Sequence, residues 1–300
     1  MSELPKLPLS YRDIDGWEYF AVEPPEWLYH YTTLTNAGHI FKSKSLWLTK
    51  IQYLNDETEL KIAITCFRRA IEAAIEIEPD EGKRELYRRT ADQVDSFEQT
   101  NICVGSFCDS GDLLSQWRSY GSSGGGVALG FRGARLSEIQ KRGYLNVWRC
   151  VYDPEKQNRL AQGLVRQLAR SYDLLRAHAG GELSEQLKTA LIERFSTTFL
   201  RVAPVFKNEH FAEEREWRVV TVPMKSDDPN YRAIVSDEWV AQVYILTFDP
   251  PPGRKHDFIG RVTIGPTTSP ERVCSTLKIF AMKEDFEPIE CSKSAIPFRG

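Results

Sequence analysis

Apolar and polar positions along the chain form short strand-like runs at both ends and a long helical stretch between them. "WLYHY" (27–31) is aromatic-rich and alternating, the pattern of a first strand. "TTLTNAGHIFKSKS" follows with a threonine cap and Ala37, Ile40 and Phe41 at helical spacing. "LWLTK" (46–50) predicts a second strand. "YLNDETEL" predicts a helix capped by Asn55 or Asp56, with acids in its first turn where the dipole favours them. That helix extends to about 77, and another covers 81–99. Next come a buried-looking strand, "NICVGSFC" (101–108), and a short helix closed by glycine, "GDLLSQWRSYG" (111–121). "GGGVALGF" (124–131) reads as a glycine turn and strand, and "YLNVWRCVYD" (144–153) as a further strand. Residues 155–202 carry helical periodicity broken near "AGGELS" (179–184), a helical hairpin. Strands return at 215–222, 230–235, 241–248 and 261–264, with a helix at about 270–282 and a terminal strand near 286–291.

Strands at both ends around a helical block do not make the regular alternation of a doubly wound parallel sheet, so the pattern predicts α+β. No internal repeat, low-complexity tract or long linker is present. Residues 1–26 read as a loosely attached lead-in, and 27–291 as one α+β domain whose helices at 155–202 form an insertion or subdomain.

Composition narrows the classes. The 300 residues are 41% hydrophobic and 27% charged, ordinary for a folded chain able to bury a core unaided. A net charge of −3 supplies no global basic field toward nucleic acid or anionic membrane. A local basic groove stays open: Arg68, Arg69, Arg84, Arg88 and Arg89 fall on expected helices, although interspersed acids suit an ordinary solvated face. The opening "MSELPKLPLSYRD" lacks the order of a secretory signal, and no apolar run reaches transmembrane length. Six scattered cysteines without a C-x-x-C pair suit reduced, structural thiols. The expected location is cytoplasmic, with no membrane partner.

Familiar catalytic signatures are absent. "GSSGGG" (121–126) lacks the lysine of a phosphate-binding Walker loop and suits a flexible turn, or backbone amides approaching phosphate. There is no H-E-x-x-H, and five histidines show no ligand spacing, so no metal is expected. Three clusters remain. In "LYHYT" (28–32), His30 shares a strand face with Leu28 and Thr32, while Tyr29 and Tyr31 face the other way. In "SQWRSYG" (115–121), Trp117 and Tyr120 lie three apart on one helical side, as core packing would also require. Ser115 and Arg118 lie together and suit a phosphate or carboxylate. In "FAEEREWRVV" (211–220), strand geometry puts Glu214, Glu216 and Arg218 on one face at steps of roughly 6.5–7 Å. Two carboxylates at the rim of a core repel unless something polar uses them. A ligand and an Arg218 ion pair explain them equally well.

These stretches resemble a widespread bacterial family known only as a domain of unknown function. Its members carry a "YHYT"-like opening, an "LND..E" segment, an "SF……D.LSQW..YG..G.G.A.GF" block and an "F..E.EWR" strand. Here they stand as "LYHYT" (28–32), "YLNDETE" (53–59), "SFCDSGDLLSQWRSYGSSGGGVALGF" (106–131) and "FAEEREWR" (211–218), with "VTIGP" (262–266) resembling the closing strand. The order of parts is also similar to the ADP-ribosyltransferase superfamily, including the strand–helix–strand opening of its DNA-targeting toxins. That resemblance implies mixed and antiparallel sheets arranged as a split sheet, and NAD+ as substrate. It implies His30, Tyr120 and Glu216 as the histidine, tyrosine and glutamate of the site, with Glu214–x–Glu216 as a paired-glutamate signature. The implied roles are Glu216 on a ribose hydroxyl and the developing positive charge, and Glu214 on the incoming nucleophile. His30, with neighbouring Tyr31, would bind the ligand, Tyr120 would stack on nicotinamide beside Trp117, and Arg118 with Ser115 would meet the pyrophosphate. The resemblance thus implies transfer of ADP-ribose to a macromolecular acceptor, protein or nucleic acid, or NAD+ hydrolysis, in a toxin or defence effector. A non-catalytic nucleotide- or nucleic-acid-binding module is the alternative.

Overall fold

The computed structural model describes residues 14–54, 59–95, 97, 100–120, 126–235, 240–250, 252–267 and 269–297. The expected cap at Asn55 or Asp56 and the glycine run at 121–125 lie outside the described residues.

From the N-terminus, β1 (Trp27–Thr33), α1 (Leu34–Ser43) and β2 (Ser45–Lys50) make the opening strand–helix–strand. Thr33 caps α1 by accepting from the Asn36 N–H, and Lys44 ends it at φ 53°. The helices α2 (Glu59–Ile77) and α3 (Glu81–Asp95) lead to β3 (Cys103–Cys108), α4 (Leu114–Tyr120) and β4 (Gly126–Arg132). Then come α5 (Gly133–Lys141), β5 (Leu145–Arg149) and the hairpin α6 (Pro154–Ala179) and α7 (Glu185–Val202). Asp153 and Pro154 start α6, Gly180 ends it at φ 70°, and Ser184 caps α7. The tail holds β6 (Glu216–Thr221), β7 (Tyr231–Val235), β8 (Val240–Thr247), β9 (Ile259–Ile264), α8 (Pro270–Lys283) and β10 (Glu290–Lys293).

The architecture is α+β, built on one mixed, branched sheet. Its main path runs β10-β9-β4-β1-β3-β2-β8-β7, and β6 and β5 attach to β3 from its other edge. Only the β9–β10 ladder is parallel among the described strand pairs. β3 is the branch point. One edge pairs with β6 from Val104 to Cys108. The other is divided, β2 taking Cys103 and Val104 and β1 taking Cys108. Gly105, Ser106 and Phe107 lie between these partners, where β1 and β2 diverge.

Each face of the sheet buries its own core. On one side α2, α3, α6 and α7 pack together, and the rings of Phe67, Phe195 and Phe199 meet Val104, Trp148 and Val220 from the strands. The hairpin at 154–202 is therefore half of a four-helix layer. On the other side α1, α5 and α8 cover Leu28, Phe107, Phe131, Trp217 and Val219.

Two expectations need correction here. The lead-in is docked rather than loose: Ile14 and Phe20 are buried, and the Phe20 ring lies 4.7 Å from that of Trp148. The helix α5 was not read from "RGARLSEIQK", because its N-cap position is Arg132, which makes no side-chain cap. It begins at a glycine because the position demands one. A Cβ on Gly133 would fall 2.0 Å from the Pro25 carbonyl oxygen.

Candidate functional site

Where β1 and β2 part, a cleft of about 370 Å³ opens over β3, a size within the range of small-molecule sites. His30 sits at the divergence. Its Nδ1 lies 3.0 Å from the Ser106 carbonyl oxygen, a backbone acceptor on the stretch of β3 that has no strand beside it on this edge. A carbonyl only accepts, so Nδ1 carries the hydrogen. Burial lowers the His30 pKa, opposed by that hydrogen bond, so the ring stays neutral with Nε2 as an acceptor. The imidazole thus serves the sheet with one nitrogen and leaves the other available.

The acids and their partners form the cleft floor. Glu216, the first residue of β6, is 2% exposed. Arg218 donates from Nε to Glu216 Oε1 at 2.8 Å and from Nη2 to Oε2 at 3.2 Å, and a third donor meets the Pro204 carbonyl. Lys207 donates to both Glu214 and Glu216. The Glu216 N–H donates to the Tyr152 hydroxyl at 2.8 Å. Burial pushes the Glu216 carboxyl up, but the Arg218 guanidinium and the Lys207 ammonium outweigh it and hold the pKa at about 2. For Lys207, burial works downward and the Glu216 carboxylate more than compensates, so the amine remains charged.

Glu214 is placed differently from the strand reading. It closes a 3-10 turn, Glu209–Glu214, and Arg215 reverses the chain in the left-handed region at φ 45°. Glu216 and Arg218 do share a strand face, as expected. Glu214 reaches them through Lys207 and not through strand alternation. Its side chain is 18% exposed against 3% for Glu216, so Glu214 is the accessible acid.

The helix α4 supplies the opposite wall with Gln116, Ser119 and Tyr120, which recur at i, i+3 and i+4 on one side. Burial raises the Tyr120 hydroxyl pKa, with Glu216 and Glu214 adding to the effect. Trp117 turns inward: it is fully buried, donates from Nε1 to Asp112 at 2.7 Å and meets the Tyr31 ring edge-on at 4.7 Å. The expectation that it shares a side with Tyr120 and faces ligand is corrected. Tyr31 lines the cleft, but its hydroxyl is engaged, donating to the Ser110 carbonyl and accepting from the Leu113 N–H at 2.9 Å. Ser115 and Arg118 lie on α4 outside the cleft lining, so the expected pyrophosphate pair does not face the cavity.

His30, Tyr31, Tyr120, Glu214 and Glu216 thus meet in one cleft from three separate stretches of sequence. Gln116, Lys207, Tyr53 and Phe211 were missed. Lys207 carried a faint signal as a lone cation closing the apolar run "APVF", and Gln116 carried one as the helical neighbour of Tyr120 at i+4.

Among the described residues, no group of three His, Cys, Asp or Glu side chains is arranged to hold a metal. No helix among them is long and apolar enough to cross a membrane. Cys274 on α8 and Cys291 on β10 are paired, their Cα atoms 5.9 Å apart, which corrects the expectation of wholly unpaired thiols. Arg84, Arg88 and Arg89 are each bridged to glutamates of α3 or α7, so they form no free basic groove.

Residues 116–219 match the model of a family described as a protein of unknown function (DUF2971). That span includes Gln116–Tyr120 of α4, Lys207, both acids of the floor and Arg218. No curated protein and no solved structure matches the chain.

Proposed function

We propose that the chain is an enzyme that cleaves the nicotinamide–ribose bond of NAD+ and passes ADP-ribose to a macromolecular acceptor or to water. The observation that carries this reading is the convergence of His30, Tyr120, Glu214 and Glu216 on one cleft at the fork of the sheet. Such bond cleavage develops oxocarbenium character at the ribose carbon, as glycoside hydrolysis does. The electron pair of the breaking C–N bond leaves with neutral nicotinamide, and a bond to the incoming oxygen or nitrogen replaces it. A carboxylate held ionised beside that carbon stabilises the developing charge.

The two acids divide the work. Both oxygens of Glu216 already accept from cations, so this residue anchors Lys207 and through it orients Glu214. Glu214, the more exposed acid, faces the ribose and takes the nucleophile's proton. His30 Nε2 accepts from a ribose hydroxyl, and Tyr120 stacks on the nicotinamide. Because Arg118 lies outside the lining, the pyrophosphate extends past the cleft mouth without that partner. Activity inside the cell, as a toxin or defence effector, suits a reaction that depletes or transfers a common nucleotide.

The full pairing of Glu216 favours one rival, a module that binds a nucleotide and leaves it intact. The test is conversion of NAD+ to free nicotinamide by the purified chain, with single-stranded oligonucleotide and lysate protein offered as acceptors and Glu214→Gln as the matched variant. Release that disappears in the variant supports the enzyme; binding without release in either protein supports the module.

A further inference from the structure

Gln116 is 8% exposed and lines the cleft, yet its amide makes no hydrogen bond among the described residues. Polar groups that the protein leaves unpaired turn to water or a ligand, and neither Gln116 amide atom is enclosed by protein. This one faces the cleft, where a ligand supplies what the protein does not. A glutamine amide offers a donor and an acceptor side by side. The chemistry that satisfies both at once is a ligand edge with the same pair reversed.

The mouth adds a second, independent indication. Tyr53, Tyr120 and Phe211 line the cleft and are 42%, 36% and 38% exposed. They come from a 3-10 turn after β2, from α4 and from the turn at 209–214. None is stacked on another aromatic ring among the described residues. Phe211 instead lies under the Lys207 ammonium at 5.1 Å, which ties the mouth to the charged floor. Exposed aromatic faces gathered at a cleft are a platform for planar rings.

We propose that Gln116 selects a planar heteroaromatic group bearing a donor beside an acceptor, held between Tyr53, Tyr120 and Phe211. A carboxamide-bearing ring and an aminopurine share that chemistry, and glutamine pairs with the latter in two hydrogen bonds elsewhere. The inference rests on this cleft being the ligand site of the proposed reaction, but not on cleavage itself.

The experiment is calorimetric titration of the full chain with two matched pairs of nucleotides. Nicotinamide mononucleotide is set against nicotinic acid mononucleotide, and AMP against purine riboside 5′-monophosphate, which lacks the 6-amino donor. At least one pair shows about a tenfold preference for the amide- or amine-bearing member, and the preferring pair identifies the source. Gln116→Met, which keeps the length and removes the polar atoms, brings that preference below about twofold while the Tm holds or rises. Tyr53→Ala and Phe211→Ala weaken both members several-fold and leave the ratio unchanged. No preference in either pair, or a preference that survives Gln116→Met, overturns the assignment of Gln116. Unchanged affinity in both aromatic variants overturns the stacking mouth. Preference without nicotinamide release leaves this inference standing and defeats the NAD+ reading; release with no preference does the reverse.

Discussion

Replacing Glu216 by glutamine keeps the shape of the buried floor and removes its central charge. Its pKa falls from an ordinary carboxylate value of 4.5 to about 2 in the folded chain. A depressed folded pKa means stability that is present above pH 4.5 and lost as pH falls toward 2. The difference corresponds to about 3 kcal/mol at pH 7. That agrees with the roughly 3–5 kcal/mol expected when one partner of a buried ion pair is removed. At pH 3 the same two values leave about half of it. The assay is urea unfolding of wild type and Glu216→Gln at both pH values, followed by tryptophan fluorescence. The variant is weaker by about 3 kcal/mol at pH 7 and by about half that at pH 3. A gap below about 1 kcal/mol at pH 7, or one equal at both pH values, refutes the ionised, doubly paired Glu216.

Other parts of the structure give further tests. Gly163→Ala in α6 would ordinarily gain up to about 1 kcal/mol, but its Cβ would sit 2.6 Å from the Asp15 carbonyl oxygen. The substitution therefore lowers Tm in the full chain and raises it once residues 1–20 are removed; a gain in the full chain contradicts the docked lead-in. Arg215→Gly relieves the left-handed backbone at φ 45°, worth about 1 kcal/mol, against a half-exposed pair with Asp109 worth less. Its Tm rises slightly, and a clear fall in thermal unfolding would count against that geometry. Lys207→Met leaves Glu214 and Glu216 without their shared cation, so Glu216 titrates at higher pH. Acid unfolding of that variant begins at a higher pH than in wild type, and coincident acid midpoints would refute the bridge.

Much of the fold was legible because periodicity is a local property. A threonine, Thr33, caps α1 as its side chain suggests, and "AGGELS" splits the long hairpin at Gly180. The opening at β3 was not legible, because strand order depends on which edges pair, and "NICVGSFC" reads the same with one neighbour or three. Glu214 was misplaced for a related reason: alternation was extended past Arg215, whose positive φ breaks the strand phase. Within the site, the motif residues His30, Tyr120 and Glu216 were named before their meeting place was known. Lys207 and Gln116 were not, since a lone lysine and a helical glutamine look like solvated positions until the fold buries them. The pairing of Cys274 with Cys291 likewise comes from α8 lying against β10, which no spacing reveals.

Consumption of NAD+ at this cleft is the step that most needs measuring. The direct measurement is proton NMR of NAD+ incubated with the purified chain, with single-stranded oligonucleotide and lysate protein offered as acceptors, beside Glu214→Gln of unchanged Tm. Free nicotinamide signals are expected to grow with wild type and to be absent with the variant. NAD+ signals that stay unbroadened and undiminished with folded wild type would contradict the NAD+ reading.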